Sequence, residues 1–141
     1  LSVSYIDGEI TGVPASVLAT TAAVGDRLPG SAKETHSLYA DYVRPLSDEL
    51  DLSVRLTQRY VGDRLTALGV GGSVQGANLV PSYDTTDLRL GVKHHDGLEA
   101  SLFVNNMFNN VSFTWIENMP QYTRWRITQP RIVGLNIGYK F

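Results

Sequence analysis

The clearest pattern in the chain is a strict alternation of apolar and polar residues near its carboxyl terminus. In residues 131–141, every second position holds an apolar side chain: Val133, Leu135, Ile137, Tyr139 and Phe141. Successive side chains of a β-strand point to opposite faces, so these five residues are expected to share one face. Gly, Asn and Lys occupy the positions between them. The pattern predicts a strand that separates an apolar medium from a polar one.

The same two-residue period recurs in five more segments and predicts six strands in all. They cover residues 1–11, 36–44, 50–60, 84–93, 98–107 and 131–141. Long connections at 12–34, 62–83 and 109–130 alternate with short turns at 45–49 and 94–97. No segment has a convincing helical period. The sequence therefore predicts an all-β fold, an antiparallel up-and-down meander of about six strands.

The alternation defines two candidate surfaces, one apolar and one polar. The apolar surface comprises Leu52, Val54, Leu56, Leu88, Leu90, Val92, Leu102, Val104, Leu135 and Ile137. The polar surface comprises Asp51, Arg55, Arg59, Asp87, Arg89, Lys93, Glu99, Asn105, Asn136 and Lys140. In a soluble antiparallel sheet, such surfaces face a core and water. In a membrane β-barrel they face lipid and a hydrated lumen, and the period alone does not distinguish these cases.

Three features favour the membrane barrel. A strand over residues 50–60, at about 3.3 Å per residue and a tilt near 45°, rises roughly 25 Å, the height of an outer-membrane apolar band. Long outer loops that alternate with short periplasmic turns are typical of such barrels. Aromatic residues are predicted at strand ends, where interfacial girdles lie: Tyr42, Tyr60, Tyr139 and Phe141.

Composition narrows the possible classes. The chain has 141 residues, 43% of them hydrophobic and 18% charged, and its net charge of −2 gives no reason to expect a nucleic-acid partner. It contains no Cys, which excludes disulfides and thiolate sites. No segment is apolar enough for a membrane-spanning helix. The chain begins within a predicted strand without Met, so we expect a fragment of a longer protein.

Three stretches resemble the carboxyl-terminal part of TonB-dependent outer-membrane receptors. They are residues 25–29 (GDRLP) followed by 35–42 (THSLYADY), residues 104–109 (VNNMFN), and residues 130–134 (PRIVG), which lead into the last strand. Their order and spacing cover nearly the whole chain. Met107 and Asn109 stand where Leu and Asp are commoner in that family.

The resemblance implies that residues 1–141 are the last portion of a barrel of about 22 strands, without its plug and earlier strands. It implies active import of a scarce nutrient, such as a ferric siderophore, across the outer membrane of a Gram-negative bacterium. The implied partners are outer-membrane lipid, TonB acting through the absent amino-terminal plug, and a small-molecule ligand such as a metal chelate. The outer-membrane assembly machinery is implied to read the carboxyl-terminal row of Val133, Leu135, Ile137, Tyr139 and Phe141 as its signal.

Candidate ligand contacts lie in the last long connection. Aromatic rings and guanidinium groups there suit stacking on, and charge pairing with, a sugar or siderophore: Trp115, Tyr122, Arg124, Trp125 and Arg126. The alternative is that this segment simply extends a β-ribbon. For the arginines at positions 55, 59 and 89, we predict pairing with Asp51 and Asp87, with a ligand path or plug contact as the alternative.

Neither a metal site nor a catalytic site is predicted. His94 and His95 are adjacent, so in a strand-like turn they point apart and do not readily chelate one ion. No pair of carboxylates is arranged for acid–base chemistry. We therefore predict a non-enzyme without a cofactor. Two alternatives stay open: another outer-membrane barrel, such as a porin or barrel enzyme, and a soluble β-sandwich binding module.

Overall fold

A six-stranded antiparallel sheet forms the body of the protein. The computed structural model describes residues 1–13, 23–68, 79–119 and 121–141. The centres of the first two predicted long connections, residues 14–22 and 69–78, lie outside this range. The described residues contain strands and no helix, so no helix in them is long and apolar enough to cross a membrane. The predicted all-β fold is confirmed.

The strands follow one another across the sheet in chain order. The sheet consists of β1 (Ser2–Tyr5), β2 (Glu34–Ser47), β3 (Leu50–Val61), β6 (Tyr83–His94), β7 (Leu98–Asn105) and β10 (Ile132–Tyr139). Two small hairpins stand in the long connections: β4 (Arg64–Leu65) with β5 (Leu79–Val80), and β8 (Phe113–Asn118) with β9 (Thr123–Ile127). All strand pairs are antiparallel, which confirms the predicted meander.

The register aligns apolar residues with one another across four strands, and the residues of β2 in these rows are Ala40, Tyr42 and the charged Arg44. Three rows run across neighbouring strands: Arg44–Leu52–Val92–Ala100–Ile137, Tyr42–Val54–Leu90–Leu102–Leu135, and Ala40–Leu56–Leu88–Val104–Val133. All ten residues predicted for the apolar surface therefore share one face. Directly opposite residues interact most closely in an antiparallel pair, so the rows form a continuous apolar band.

Both short connections lie at the same end of the sheet. The turn between β2 and β3 is only Asp48–Glu49, and the turn between β6 and β7 is residues 95–97. The His95 N–H donates to the Glu49 carbonyl at 2.8 Å, so the two turns touch. The three long connections leave and re-enter the main sheet at the opposite end. This arrangement matches the predicted alternation of long and short loops.

Several predicted boundaries are wrong, each for a local reason. The turn expected at residues 45–49 is shorter, because β2 continues through Pro45 to Ser47 with a register shift that accommodates a residue lacking an N–H. Strand β7 ends at Asn105 rather than at residue 107, since Asn106 takes a positive φ of 49°. The first strand ends at Tyr5, and beyond it the described residues make an isolated bridge between Glu9 and Arg27 and separate backbone hydrogen bonds, such as that from the Leu28 N–H to the Gly8 carbonyl at 2.9 Å.

Within residues 1–13, 23–68, 79–119 and 121–141, no second layer covers the faces of the main sheet. Among the described residues, the buried hydrophobic side chains are Leu65 and Val80, both in the β4–β5 hairpin and outside the main sheet. Tyr42, expected at a strand end, lies instead in the middle of the apolar face opposite Val54. The main sheet is therefore a wall with two exposed faces of opposite polarity.

Candidate functional site

The polar face carries the charged residues that the sequence placed together. The register puts Asp51, Lys93 and Glu99 in one row, and Asp41, Arg55 and Arg89 in another, with Arg59 farther toward the end of the long connections. The remaining members of the predicted polar surface, at positions 87, 105, 136 and 140, share this face by the same alternation. These residues therefore share one face of the sheet, and their contact with a hydrated lumen remains a prediction.

The predicted partners of the wall arginines are wrong. Arg55 Nε lies 2.5 Å from Asp41 Oδ1, directly opposite on β2, instead of pairing with Asp51. Asp87 Oδ1 accepts a hydrogen bond from the Asn106 backbone N–H at 2.8 Å. Within the described part of the chain, neither Arg59 nor Arg89 has a carboxylate at ion-pair distance. Arg55 pairs with the carboxylate directly opposite it on the neighbouring strand. Which residue is opposite depends on the strand register, and the sequence alone does not give that register.

Arg89 lies over an aromatic ring that itself covers a glycine. The Arg89 guanidinium carbon is 5.9 Å from the centroid of Phe103, and Phe103 is directly opposite Gly134 on β10. A Cβ added at Gly134 would approach the Phe103 ring to 2.3 Å. The ring therefore fills the space that the missing side chain leaves, and the guanidinium gains a cation–π contact.

The end of the sheet with short turns carries several ion pairs. Lys93 Nζ and Lys140 Nζ lie 3.5 Å and 3.6 Å from Glu99 Oε1. His94 and His95 contact different carboxylates, Glu49 and Asp96 for His94 and Asp51 for His95. Among the residues that the structure describes, no three His, Cys, Asp or Glu side chains are grouped to hold a metal ion.

A concavity lies at the other end of the polar face, below the β8–β9 hairpin. Its volume is about 330 Å³. The wall contributes Arg59, Thr85, Asp87 and Asn105 to it, and the base of the hairpin contributes Ile127 and Thr128, among others. One guanidinium, one carboxylate and several neutral donors and acceptors line it. Such a lining suits a ligand that both donates and accepts hydrogen bonds.

The β8–β9 hairpin, here called the ribbon (residues 113–127), divides the predicted ligand contacts between two faces. Trp115 is paired with Arg126, and Glu117 with Arg124, so these four side chains share one face. Trp125 lies on the opposite face, where its ring meets Phe113 edge-on at 5.3 Å. Tyr122 is at the tip, 5.8 Å from the Arg124 guanidinium. The segment forms a two-stranded β-ribbon, as the alternative to ligand contact in the sequence analysis proposed. Contact with a ligand remains a prediction.

The carboxyl-terminal row has an extended geometry. Val133, Leu135, Ile137 and Tyr139 share the apolar face of β10, and Phe141 lies beyond the end of the strand. The rings of Tyr139 and Phe141 meet edge-on at 5.6 Å. No family model matches the sequence, and no curated protein matches it significantly. Recognition by an assembly machinery therefore remains a prediction from the pattern.

Among the described residues, sequence reasoning missed three buried polar residues near these sites: Thr86, Asn106 and Thr128. Asn106 is only 3% exposed and hydrogen-bonds to Asn110 and Gln129, in the segments that enter and leave the ribbon. Asn106 belongs to the VNNMFN stretch, residues 104–109, which carries part of the family resemblance. Nothing in that resemblance indicates that Asn106 is buried. The positive φ and the burial of Asn106 are properties of the folded chain. The sequence signal for them was the pair of successive Asn residues, since Asn adopts a positive φ more readily than most residues.

An ion pair next to β1 and β2 gives the clearest pH dependence. Lys33 Nζ lies 2.8 Å from Asp7 Oδ1. This hydrogen bond lowers the pKa of the Asp7 carboxyl below its usual value and raises the pKa of Lys33. Because the pKa of Asp7 is lower in the folded state, the ion pair contributes its full stabilisation at pH values above the unfolded-state pKa of 3.8. This stabilisation is lost as the pH falls through the folded-state pKa of Asp7.

We expect Lys33→Met to raise the pKa of Asp7 toward its usual value. The substitution removes the hydrogen-bond donor and the positive charge while keeping a side chain of similar length. An NMR titration of the Asp7 carboxyl carbon in both proteins measures the change. Because the pair is exposed, the effect on unfolding is expected to be small. An unchanged Asp7 titration in Lys33→Met contradicts the assignment.

Proposed function

We propose that this chain forms part of the wall of a β-barrel in the bacterial outer membrane. One observation carries the proposal: in the described part of the chain, the main sheet is a single layer with an exposed apolar face and an exposed polar face. On the apolar face, Leu90 is 39% exposed, Leu135 62% and Ile137 70%. A soluble domain covers such a face with a second layer. Lipid on one side and a hydrated lumen on the other account for both faces.

The apolar band extends across most of the main sheet. The three rows cross five strands at about 4.8 Å between strands, and the outer rows lie four residues apart at about 3.3 Å per residue, so the band measures roughly 19 Å by 13 Å between its outermost Cα atoms. A row of exposed apolar side chains on each of several neighbouring strands is what the lipid-facing side of a barrel wall requires. Six strands are fewer than the about eight of the smallest bacterial barrels. A closed barrel therefore requires further strands beside these.

Lipid contact is testable with spin labels at Val54 and Leu90, which lie opposite each other on the apolar face. The chain has no native Cys, so each label is placed by a single substitution in it. In the intact protein in lipid vesicles, both labels are expected to collide with dissolved oxygen more than with a water-soluble nickel chelate. Labels at Ser53 and Asn136, on the polar face, are the matched controls and are expected to show the reverse preference.

Two results would contradict the lipid assignment. Labels at Val54 and Leu90 that meet neither reagent would lie in a dry protein interior, as in a β-sandwich. Labels at these positions that prefer the nickel chelate would lie in water. In either case the wall proposal is lost, whatever the polar-face labels report.

We further propose that the barrel is a TonB-dependent transporter for a scarce nutrient such as a ferric siderophore. The proposal is supported by three stretches of the sequence that resemble this family and follow one another in the family's order. The structure of one of these stretches adds support. Residues 104–109 form the end of β7 and the turn that leads to the ribbon. The polar face supplies cations and hydrogen-bonding groups suited to a ligand path. TonB and the plug are the partners that this assignment requires.

Uptake measurements separate this transporter from a porin. Cells that express the intact protein are expected to accumulate a radiolabelled ferric siderophore from a panel of catecholate and hydroxamate types, and a protonophore is expected to stop accumulation. Cells that lack the protein are also expected not to accumulate that siderophore. Uptake that persists with the protonophore and follows passive diffusion would instead indicate a porin.

A further inference from the structure

One buried amide side chain lies where the ribbon joins the wall. Asn106 follows directly after β7 with a φ of 49°, in the left-handed region that Asn tolerates better than most residues. Only 3% of the residue is exposed. A buried amide is costly unless its polar atoms are hydrogen-bonded, so its partners are informative.

The Asn106 side chain makes three hydrogen bonds, and together they reach both arms of the ribbon. Nδ2 donates to the Asn110 carbonyl at 2.9 Å and to the Gln129 carbonyl at 2.8 Å. Oδ1 accepts from the Asn110 N–H at 3.0 Å. Asn110 precedes β8 and Gln129 follows β9. A single side chain therefore joins the segment that enters the ribbon to the segment that leaves it.

A second side chain completes the link between the two arms. Thr128, which is 6% exposed, donates from Oγ1 to the same Asn110 carbonyl at 2.7 Å and accepts from the Ser112 N–H at 3.1 Å. The Thr128 N–H donates to the Ser112 carbonyl at 2.9 Å. The two arms are thus bonded to each other directly below β8 and β9.

The link is also fixed to the wall. The Asn106 N–H donates to Asp87 Oδ1 on β6 at 2.8 Å, and the Met107 N–H donates to the Thr86 carbonyl at 2.7 Å. Thr86 is itself buried. The hydrogen bonds therefore run without a gap from the polar face of the wall, through Asn106, to both arms of the ribbon.

We propose that Asn106 is the positioning residue that holds the ribbon at a fixed place on the rim of the wall. The ribbon face with Trp115, Arg124 and Arg126 then has a fixed position relative to the polar face and to the concavity beside Arg59. A ligand that contacts both would meet a preformed site and would not have to order the ribbon on binding. This consequence for a ligand rests on the proposed transport function, whereas the positioning role does not.

The test compares two asparagines of the same turn. Asn106 and Asn109 both have positive φ values, 49° and 55°, so Gly is sterically acceptable at either position. Asn109 is exposed, and its side chain makes one hydrogen bond, from the Arg131 N–H at 3.0 Å. Asn106→Gly removes three bonds to Asn110 and Gln129, the segments next to the ribbon, whereas Asn109→Gly removes one bond, to Arg131 directly before β10. The pair therefore controls for the added backbone freedom of glycine.

Hydrogen exchange and distance measurements on the intact protein in detergent report the outcome. In Asn106→Gly, the peptides that contain Ser112 and Thr128 are expected to exchange roughly tenfold faster or more. The distance distribution between spin labels at Thr57 on the wall and Glu117 on the ribbon is expected to broaden. Asn109→Gly is expected to change exchange in these peptides by less than about threefold and to keep a narrow distribution.

Equal behaviour of the two glycine variants overturns the proposal. If Asn106→Gly does not assemble, Thr128→Val takes its place, because it keeps the branched shape and removes only the hydroxyl that bonds Asn110 and Ser112. Faster exchange and a broader distribution in Thr128→Val support the positioning role of this link, and unchanged values overturn it. The oxygen and nickel accessibility of labels at Val54 and Leu90 tests the membrane assignment separately, so the two failures are distinguishable.

Discussion

Leu135→Arg is expected to destabilise the intact protein in lipid by about 2–4 kcal/mol, or to prevent its assembly. Leu135 lies in the central apolar row, opposite Leu102, and 62% of it is already exposed in the isolated sheet. If the exposed surface faced water, replacing it with Arg would change stability by no more than about 0.5 kcal/mol. A large effect arises where the side chain is removed from water, in hydrocarbon or against a second protein layer, because a guanidinium loses its hydration there. The oxygen accessibility of labels at Val54 and Leu90 separates these two cases.

The neighbouring substitution Asn136→Arg provides the matched control. Asn136 is the next residue of β10, is also exposed, and lies on the polar face opposite Ser101. We expect Asn136→Arg to leave stability and the level in the outer-membrane fraction nearly unchanged, because an arginine there lies in the hydrated lumen. Urea unfolding in vesicles, followed by heat-dependent gel mobility, measures both variants. Equal effects of the two substitutions contradict the assignment of the faces.

Gly97→Ala is expected to destabilise the protein by about 2–3 kcal/mol through the turn between β6 and β7. Gly97 has a φ of +97°, and a Cβ built on it would lie 2.1 Å from the Lys140 carbonyl oxygen. The backbone conformation alone costs an L-residue about 1–2 kcal/mol. Relieving the clash moves the end of β10 and weakens the bond from the Lys140 N–H to the Gly97 carbonyl, at 2.9 Å, which adds about 1 kcal/mol.

Gly138→Ala is the control for this prediction. Gly138 also lies near the end of β10, but a Cβ there meets no atom within 4 Å and its φ is not positive. Its effect on the urea midpoint is expected to stay within about 0.5 kcal/mol. A Gly97→Ala protein as stable as Gly138→Ala would show that the turn and the end of β10 adjust freely, which contradicts the close approach in the structure.

The number and order of the main strands could be predicted from the sequence, because each has an apolar and a polar face. Leu52, Val54 and Leu56 alternate with charged and hydroxyl residues, and the same period returns on β6, β7 and β10. The turn boundaries were less predictable. Pro45 normally favours a turn, yet here it continues β2 at a register shift, since a sheet tolerates a missing donor at such an irregularity.

The candidate sites depended more strongly on tertiary structure. Arg55 pairs with Asp41, 14 residues away, because the β2–β3 register places them opposite each other. A register shift between Phe113 and Trp115 puts these rings on opposite faces of the ribbon, although a spacing of two residues predicts the same face. Because of this one-residue irregularity, Trp115 and Trp125 lie on opposite faces of the ribbon. The two rings are therefore not placed to contact the same ligand.

The sequence alone determined that this protein has a meandering β-sheet with one apolar and one polar face. A period of two fixes the face of each side chain without knowledge of its neighbours. Only the tertiary structure decided which residues meet, since cross-strand pairing joins segments far apart in the chain. It also showed that the described residues place no covering layer on either face and that Asn106 ties the wall to the ribbon, because exposure and hydrogen bonding depend on the whole folded chain.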